Sequence, residues 1–219
     1  MKTLSFSHIK FSDLLQIVDL RQITNDQVFR EWFSYGYAIT PEETAYLQEL
    51  ITANRPFMMS YSEEELKIRF IGPLLNKVNY WFNETRDWYH RPLKAKINNV
   101  TLRGYVDFMV AKGIKEPVTP YFFIQEFKKT KIDIDPEDQL LAEMLVALAL
   151  NDADVMHGAY IIGPQWRFVT LQKIEHNRYE YYVSLIFDSQ DIEELQQIYT
   201  HLHAVKHLFC KDGVEGGDI

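Results

Sequence analysis

Three side chains on two nearby stretches could carry metal chemistry. Asp107 closes Gly104-Tyr-Val-Asp107, and Glu126 and Lys128 lie in Gln125-Glu126-Phe127-Lys128. Hydrolysing a phosphodiester at neutral pH needs a hydroxide, and positive charge where the phosphate gains negative charge; one or two Mg²⁺ ions supply both. Such hard cations take oxygen ligands. If the two stretches are paired strands, about 4.8 Å apart, the carboxylates of Asp107 and Glu126 can share an ion. Side chains alternate along a strand, so Glu126 and Lys128 leave the same face. An ammonium there can orient a water and stabilise charge on phosphate, while the Phe127 carbonyl offers another ligand. Burying these charges on a strand otherwise built of Phe122, Phe123, Ile124 and Phe127 is expensive unless they serve something.

The elements that must position these groups follow from periodicity. Residues 1–61 read as an N-terminal helical extension, with Leu14, Leu15, Val18 and later Tyr46, Leu47, Leu50 at helical spacing and Thr40-Pro41-Glu42-Glu43 as a helix start. Ser62-Glu63-Glu64-Glu65 is a capping box that opens a helix with Leu66, Phe70, Ile71, Leu74, Leu75 and Val78 inward, ending near Asn79. Trp88 to Lys96 and Val100 to Ala111 read as an antiparallel hairpin turning at Asn98-Asn99. Tyr121 to Lys128, with its nearly continuous apolar start, reads as the central strand, buried on both faces. Asp135-Pro136-Glu137-Asp138 starts a second helix carrying Leu140, Leu141, Met144, Leu145 and Leu148. Strands are expected at His157 to Ile162, Trp166 to Lys173 and Tyr179 to Phe187, followed by an amphipathic helix from Asp188 to Phe209. Residues 62–210 thus read as one α/β domain around a mixed sheet, and residues 211–219 as a flexible tail.

A composition of 47% hydrophobic and 25% charged residues supports one substantial core. Net charge is −8, which argues against coating nucleic acid by bulk electrostatics, so any such contact needs a local basic surface. Cys210 is the sole cysteine, which excludes an internal disulfide and a cysteine-built zinc site. With no signal-like or membrane-length apolar run, a reducing, cytoplasmic setting without membrane association is expected.

The Asp107 and Glu126-x-Lys128 arrangement resembles the signature of the PD-(D/E)XK nuclease superfamily, an acid ending one strand and Glu-x-Lys on the next. The similarity runs from Ser62 to Phe187 and includes Gly163-Pro-Gln-Trp166, which resembles a Gly-x-x-Trp turn common in such proteins. Ser62-Glu63 ahead of Ile71-Gly-Pro-Leu-Leu75 looks like the nuclease domains of restriction-type enzymes. The resemblance implies a restriction-endonuclease-like core in α-β-β-β-α-β order and DNA cleavage with Mg²⁺, for which Mn²⁺ can substitute. It implies metal ligation by Glu63 (Glu64 being the alternative), Asp107, Glu126 and the Phe127 carbonyl, with Lys128 and Gln139 acting near the phosphate. The chain departs from the pattern at Val106, where proline is usual, and at Glu143, where a tyrosine would lie in branches that use the glutamine.

Other signals have bland explanations. A second Glu-x-Lys, Glu65-Leu-Lys67, falls in the first helix, where a cap and a solvated charge are expected. Lys129, Lys131 and Arg103, with Lys94, Lys96 and Arg91, could guide a phosphate backbone or be scattered surface charges. His201, His203 and His207 on the last helix are expected to be structural or solvated. The leading expectation is an endonuclease acting on DNA, alone, as a homodimer or in a larger nuclease assembly. The alternative is a non-catalytic protein of the same fold that binds nucleic acid or another protein.

Overall fold

The computed structural model describes residues 2–128 and 135–210. The lysines Lys129 and Lys131 and the tail at 211–219 lie outside them. The architecture is mixed α/β: a central sheet with helices on both faces. Its strands are β1 (Lys2–Ser5), β2 (Asp19–Gln22), β3 (Thr85–Ile97), β4 (Val100–Lys112), β5 (Val118–Lys128), β6 (Val155–Ile162), β7 (Gln165–Glu175), β8 (Arg178–Val183) and β9 (Phe187–Asp188). The order across the sheet is β1-β4-β5-β6-β7-β8-β2, with β3 paired to β4 and β9 to β7. The helices are α1 (Phe11–Leu14), α2 (Arg30–Phe33), α3 (Pro41–Asn54), α4 (Glu63–Leu66), α5 (Gly72–Val78), α6 (Pro136–Asn151) and α7 (Ile192–Ala204). Among the described residues no helix is long and apolar enough to cross a membrane.

The central strand is β5, as its apolar run predicts. Phe123 and Phe127 enter the core shared with α3, α4, α5 and α7, while Ile124 enters the core shared with α6. The β3–β4 hairpin turns at Asn98, whose φ of 52° suits asparagine. β5 and β6 are parallel, with α6 making the crossover between them.

The N-terminal expectation needs correction. Residues 1–61 are not simply a helical extension, because β1 and β2 join the sheet in parallel with β4 and β8. Nor does a core boundary fall at residue 61. Phe6, Leu14 and Leu20 pack with α6, and Trp32, Leu47 and Ile51 pack with α5 and α7. The reason is visible in α6, where every residue from Gln139 to Leu148 is buried. A helix that apolar needs cover on its outer side. The first residues supply it, and the Phe11 N–H donates to Asp138 Oδ2 at 3.0 Å.

An irregularity interrupts the sheet between β4 and β5. β4 pairs with β5 only from Phe108↔Gln125 outward to Lys112↔Val118, while β1 pairs with β4 from Val100 to Arg103. Since β3 occupies the other edge of β4, the edge from Gly104 to Asp107 faces neither strand. The two central strands part at Asp107.

Candidate active site

The helical side begins at Ser62, whose Oγ accepts from Glu65 N–H while Glu65 Oε2 accepts from Ser62 N–H. That cap fixes Glu63 and Glu64 in the first turn. The helix does not run evenly to Asn79. Between α4 and α5, residues Lys67–Ile71 form a wider π-type turn, with Gly72 N–H bonded to Lys67 O. Pro73 explains the widening, since it has no N–H to donate and its ring would crowd the carbonyl four residues back. Gly72 is needed as well: a Cβ there would lie 2.9 Å from Lys67 O.

The wide turn presents Lys67 to Asp107. Lys67 Nζ is 3.1 Å from Asp107 Oδ1, 2.8 Å from Glu63 Oε1 and 3.7 Å from Glu64 Oε1. Lys67 is therefore not the solvated charge expected from sequence but a largely buried bridge between the upstream acid and the strand acid. Burial works against its charge, yet Asp107 and Glu63 outweigh that and hold its pKa above the ordinary lysine value. The other carboxylate oxygen of Asp107 accepts from Phe127 N–H at 3.1 Å, an amide left free where the strands part.

Continuing the Phe108↔Gln125 register by one step sets Asp107 opposite Glu126. Glu126 is fully buried and accepts from Lys128 Nζ at 2.6 Å through Oε1. Oε2 of Glu126 is buried without a partner among the described residues. Burial first, then Asp107, raises the Glu126 carboxyl to about 8, against which Lys128 and Lys67 pull. Lys128 is also raised, because Glu126, Glu63 and Asp107 together exceed its burial cost. A 2.6 Å contact suggests a full ion pair, whereas the raised acid favours its protonated form. We favour the raised acid, since two further carboxyls share the region and Lys128 alone does not neutralise them.

One of these carboxyls is Glu143, entirely buried on α6 and raised by burial and by Glu126. Its Oε1 accepts from Gln139 Nε2 at 3.0 Å, and its Oε2 lacks a partner among the described residues. Gln139 thus turns inward towards Glu143. Sequence reasoning noted Glu143 only as a departure from pattern; its spacing of four from Gln139 on one helix face was the available signal. Lys67 was passed over for the opposite reason, because its role depends on Asp107, 40 residues away.

The Phe127 carbonyl also faces the right way. Within a strand residue the N–H and C=O leave the same edge, and the next residue uses the other. Phe127 N–H goes to Asp107, and Lys128 O accepts from Gly163 N–H on the β6 side. The Phe127 carbonyl is therefore directed to the Asp107 side. A cleft of about 580 Å³ opens over this region, lined by Lys67 and Asp107, by Ile68, Tyr89 and Phe127, and by Asn76 and His90.

Arg103 stands apart from the acids. It pairs with Ser5 and Lys94, four residues, or roughly 13 Å, along β4 from Asp107. His201 and His203 are buried and stacked on Phe33 and Tyr37 at centroid distances of 4.0 and 3.6 Å, which fits the structural role expected.

Among the described residues, no three histidine, cysteine or carboxylate side chains are gathered as a ready metal site. Lys67 lies between two of the acids that would have to converge. Searches with protein-family models and against curated proteins return no match for this chain.

Proposed function

We propose that this protein is a metal-dependent endonuclease of the PD-(D/E)XK kind, with a restriction-endonuclease-like core, acting on DNA. The observation that carries this reading is the meeting of Asp107 and Glu126 where β4 and β5 part, with Lys128 on Glu126 and Glu63 reaching Asp107 through Lys67. The donors suit a hard cation: carboxylate oxygens, a carbonyl directed to the same side, and two buried carboxylate oxygens without partners among the described residues. Asp107, Glu126 and the Phe127 carbonyl would hold Mg²⁺ or Mn²⁺, with Glu63 as a further ligand. Such an ion, when bound, would lower the pKa of an attacking water and neutralise charge on the phosphate.

The chain's own groups do the positioning. Phe127 N–H fixes the Asp107 carboxylate, and Lys128 brings an ammonium to the face that carries Glu126. Gln139 holds Glu143 behind them, and the cleft over Lys67 admits the substrate backbone. Incubating supercoiled plasmid with the protein and Mg²⁺, Mn²⁺ or EDTA tests the reading. Nicking or linearisation that needs the ion and disappears in EDTA supports it; no cleavage with either ion, or cleavage in EDTA, opposes it.

The engagement of Asp107 by Lys67 favours one alternative, a non-catalytic protein of this fold in which the lysine permanently neutralises the acids. That reading predicts no Mn²⁺ binding at all.

A further inference from the structure

Lys67 reaches both the upstream acid and the strand acid, and it does so as a cation. Its Nζ makes contacts of 2.8 Å to Glu63 Oε1 and 3.1 Å to Asp107 Oδ1, with Glu64 Oε1 at 3.7 Å. Glu63 and Asp107 close on one point, with the exposed Glu64 at its margin, and the charge that draws them together there is the Lys67 ammonium. Opposite Asp107 in the strand register, Oε2 of Glu126 is buried without a partner among the described residues, an acceptor that the ammonium leaves unsatisfied. We propose that Lys67 is a tethered counter-ion whose ammonium exchanges with a divalent cation between Glu63 and Asp107, so that cation entry and lysine withdrawal are a single event.

Two features make exchange physically reasonable. The lysine has a four-carbon flexible stem and lines the open cleft, so its ammonium can leave the acids for solvent without any backbone displacement. It also begins the π-type turn, a local geometry that recurs at functional positions in helices. Without a counter-ion, Glu63 and Asp107 would repel each other; the Lys67 ammonium holds the two acids together. In the cleft, the released ammonium stands beside the entering phosphate backbone, where its charge is useful again.

This inference rests on the nuclease reading for the metal, and its test separates the two. Mn²⁺ binding is measured by electron paramagnetic resonance, without nucleic acid, on wild type, Lys67→Met and Lys67→Gln, each checked for a cooperative melting transition. Removing an internal competitor raises apparent affinity by the inverse of the fraction of protein it had left open, so with roughly nine-tenths blocked both variants should bind Mn²⁺ roughly tenfold more tightly or better. In ¹⁵N-lysine-labelled wild type, the Lys67 Nζ resonance, assigned by its loss in Lys67→Met, should shift along the same Mg²⁺ titration curve as binding. Wild type that binds Mn²⁺ while both variants bind equally or more weakly, or a Lys67 resonance that ignores Mg²⁺, overturns the exchange and leaves the nuclease reading standing. Absence of binding by all three proteins at millimolar Mn²⁺ removes the metal, and with it both proposals.

Discussion

The amide of Phe127 donates to Oδ2 of Asp107 at 3.1 Å, across the point where β4 and β5 cease to pair. A ladder amide that would otherwise be unsatisfied is used to orient a carboxylate, and Oδ1 is left to meet the Lys67 ammonium. The sheet irregularity is therefore what makes the acid available.

If the acids and lysine act together, Asp107→Asn, Glu126→Gln and Lys128→Met should each lower plasmid cleavage by roughly a hundredfold or more while retaining cooperative melting. The Asp107→Asn variant keeps a side-chain oxygen that can accept from Phe127 N–H, so its loss of activity reports on charge and not on the strand contact. Full cleavage by Lys128→Met would remove the lysine from the mechanism.

The raised carboxyls give a pH signature in the metal-free protein. Glu126 binds its proton more tightly when folded, up to about 8, than at its ordinary value of 4.5. The stability this contributes is complete below pH 4.5 and is lost as pH rises through about 8. Glu143 contributes in the same direction. About one pH unit above their ordinary 6.5 the buried histidines are neutral in both states, so they add no slope beyond that. In EDTA, stability should fall between about pH 7.5 and 8 by up to about 1.4 kcal/mol per pH unit for each proton involved. Glu126→Gln should reduce the fall, and the double variant with Glu143→Gln should abolish it. Urea titrations across this window are the measurement, and an equal slope in all three proteins refutes the assignment.

At the acid end the sign reverses. Burial lowers His203 to about 4, so its contribution is present above 6.5 and is lost as pH falls through about 4. Both ring nitrogens lack partners among the described residues, and the ring stacks on Tyr37 at 3.6 Å. Phenylalanine keeps the stack and cannot charge. His203→Phe should cost little at neutral pH and add roughly 1–2 kcal/mol at about pH 4.5, read from the acid unfolding curve.

The first residues should matter to stability as core does. A Cβ on Gly104 would fall 2.5 Å from Phe6 Cδ2, and Phe6 is completely buried. Gly104→Ala should therefore cost roughly 1–3 kcal/mol, and Phe6→Ala roughly 3–5 kcal/mol. The double variant should lose less than their sum, because the smaller side chain relieves the clash. Strict additivity in urea melts would mean that the two positions do not touch.

The legible parts of this chain were those with local signals. The hairpin at Asn98, the apolar β5, the caps at Ser62 and Asp135 and the Glu126-x-Lys128 spacing need only neighbouring residues to be read. β1 and β2 escaped because each is four residues long and pairs in parallel with a strand far along the chain, which leaves no turn signal. Lys67 and Glu143 escaped because their surroundings come from other elements; each has a plain helical explanation until the sheet is placed beside it.

The wide turn ahead of Pro73 adds the rotation of one residue to a helix that must satisfy two directions at once. Leu74, Leu75 and Val78 point into the core below it, while Glu63 and Lys67 address the sheet edge. Ile68 lies within that turn and is 72% exposed, so deleting it removes little packing. It would, however, take out the rotation of one residue and swing one end of the helix by about 100° relative to the other. Either the leucines or the acid would keep its heading, but not both, so the length of this short stretch sets the aim of the site.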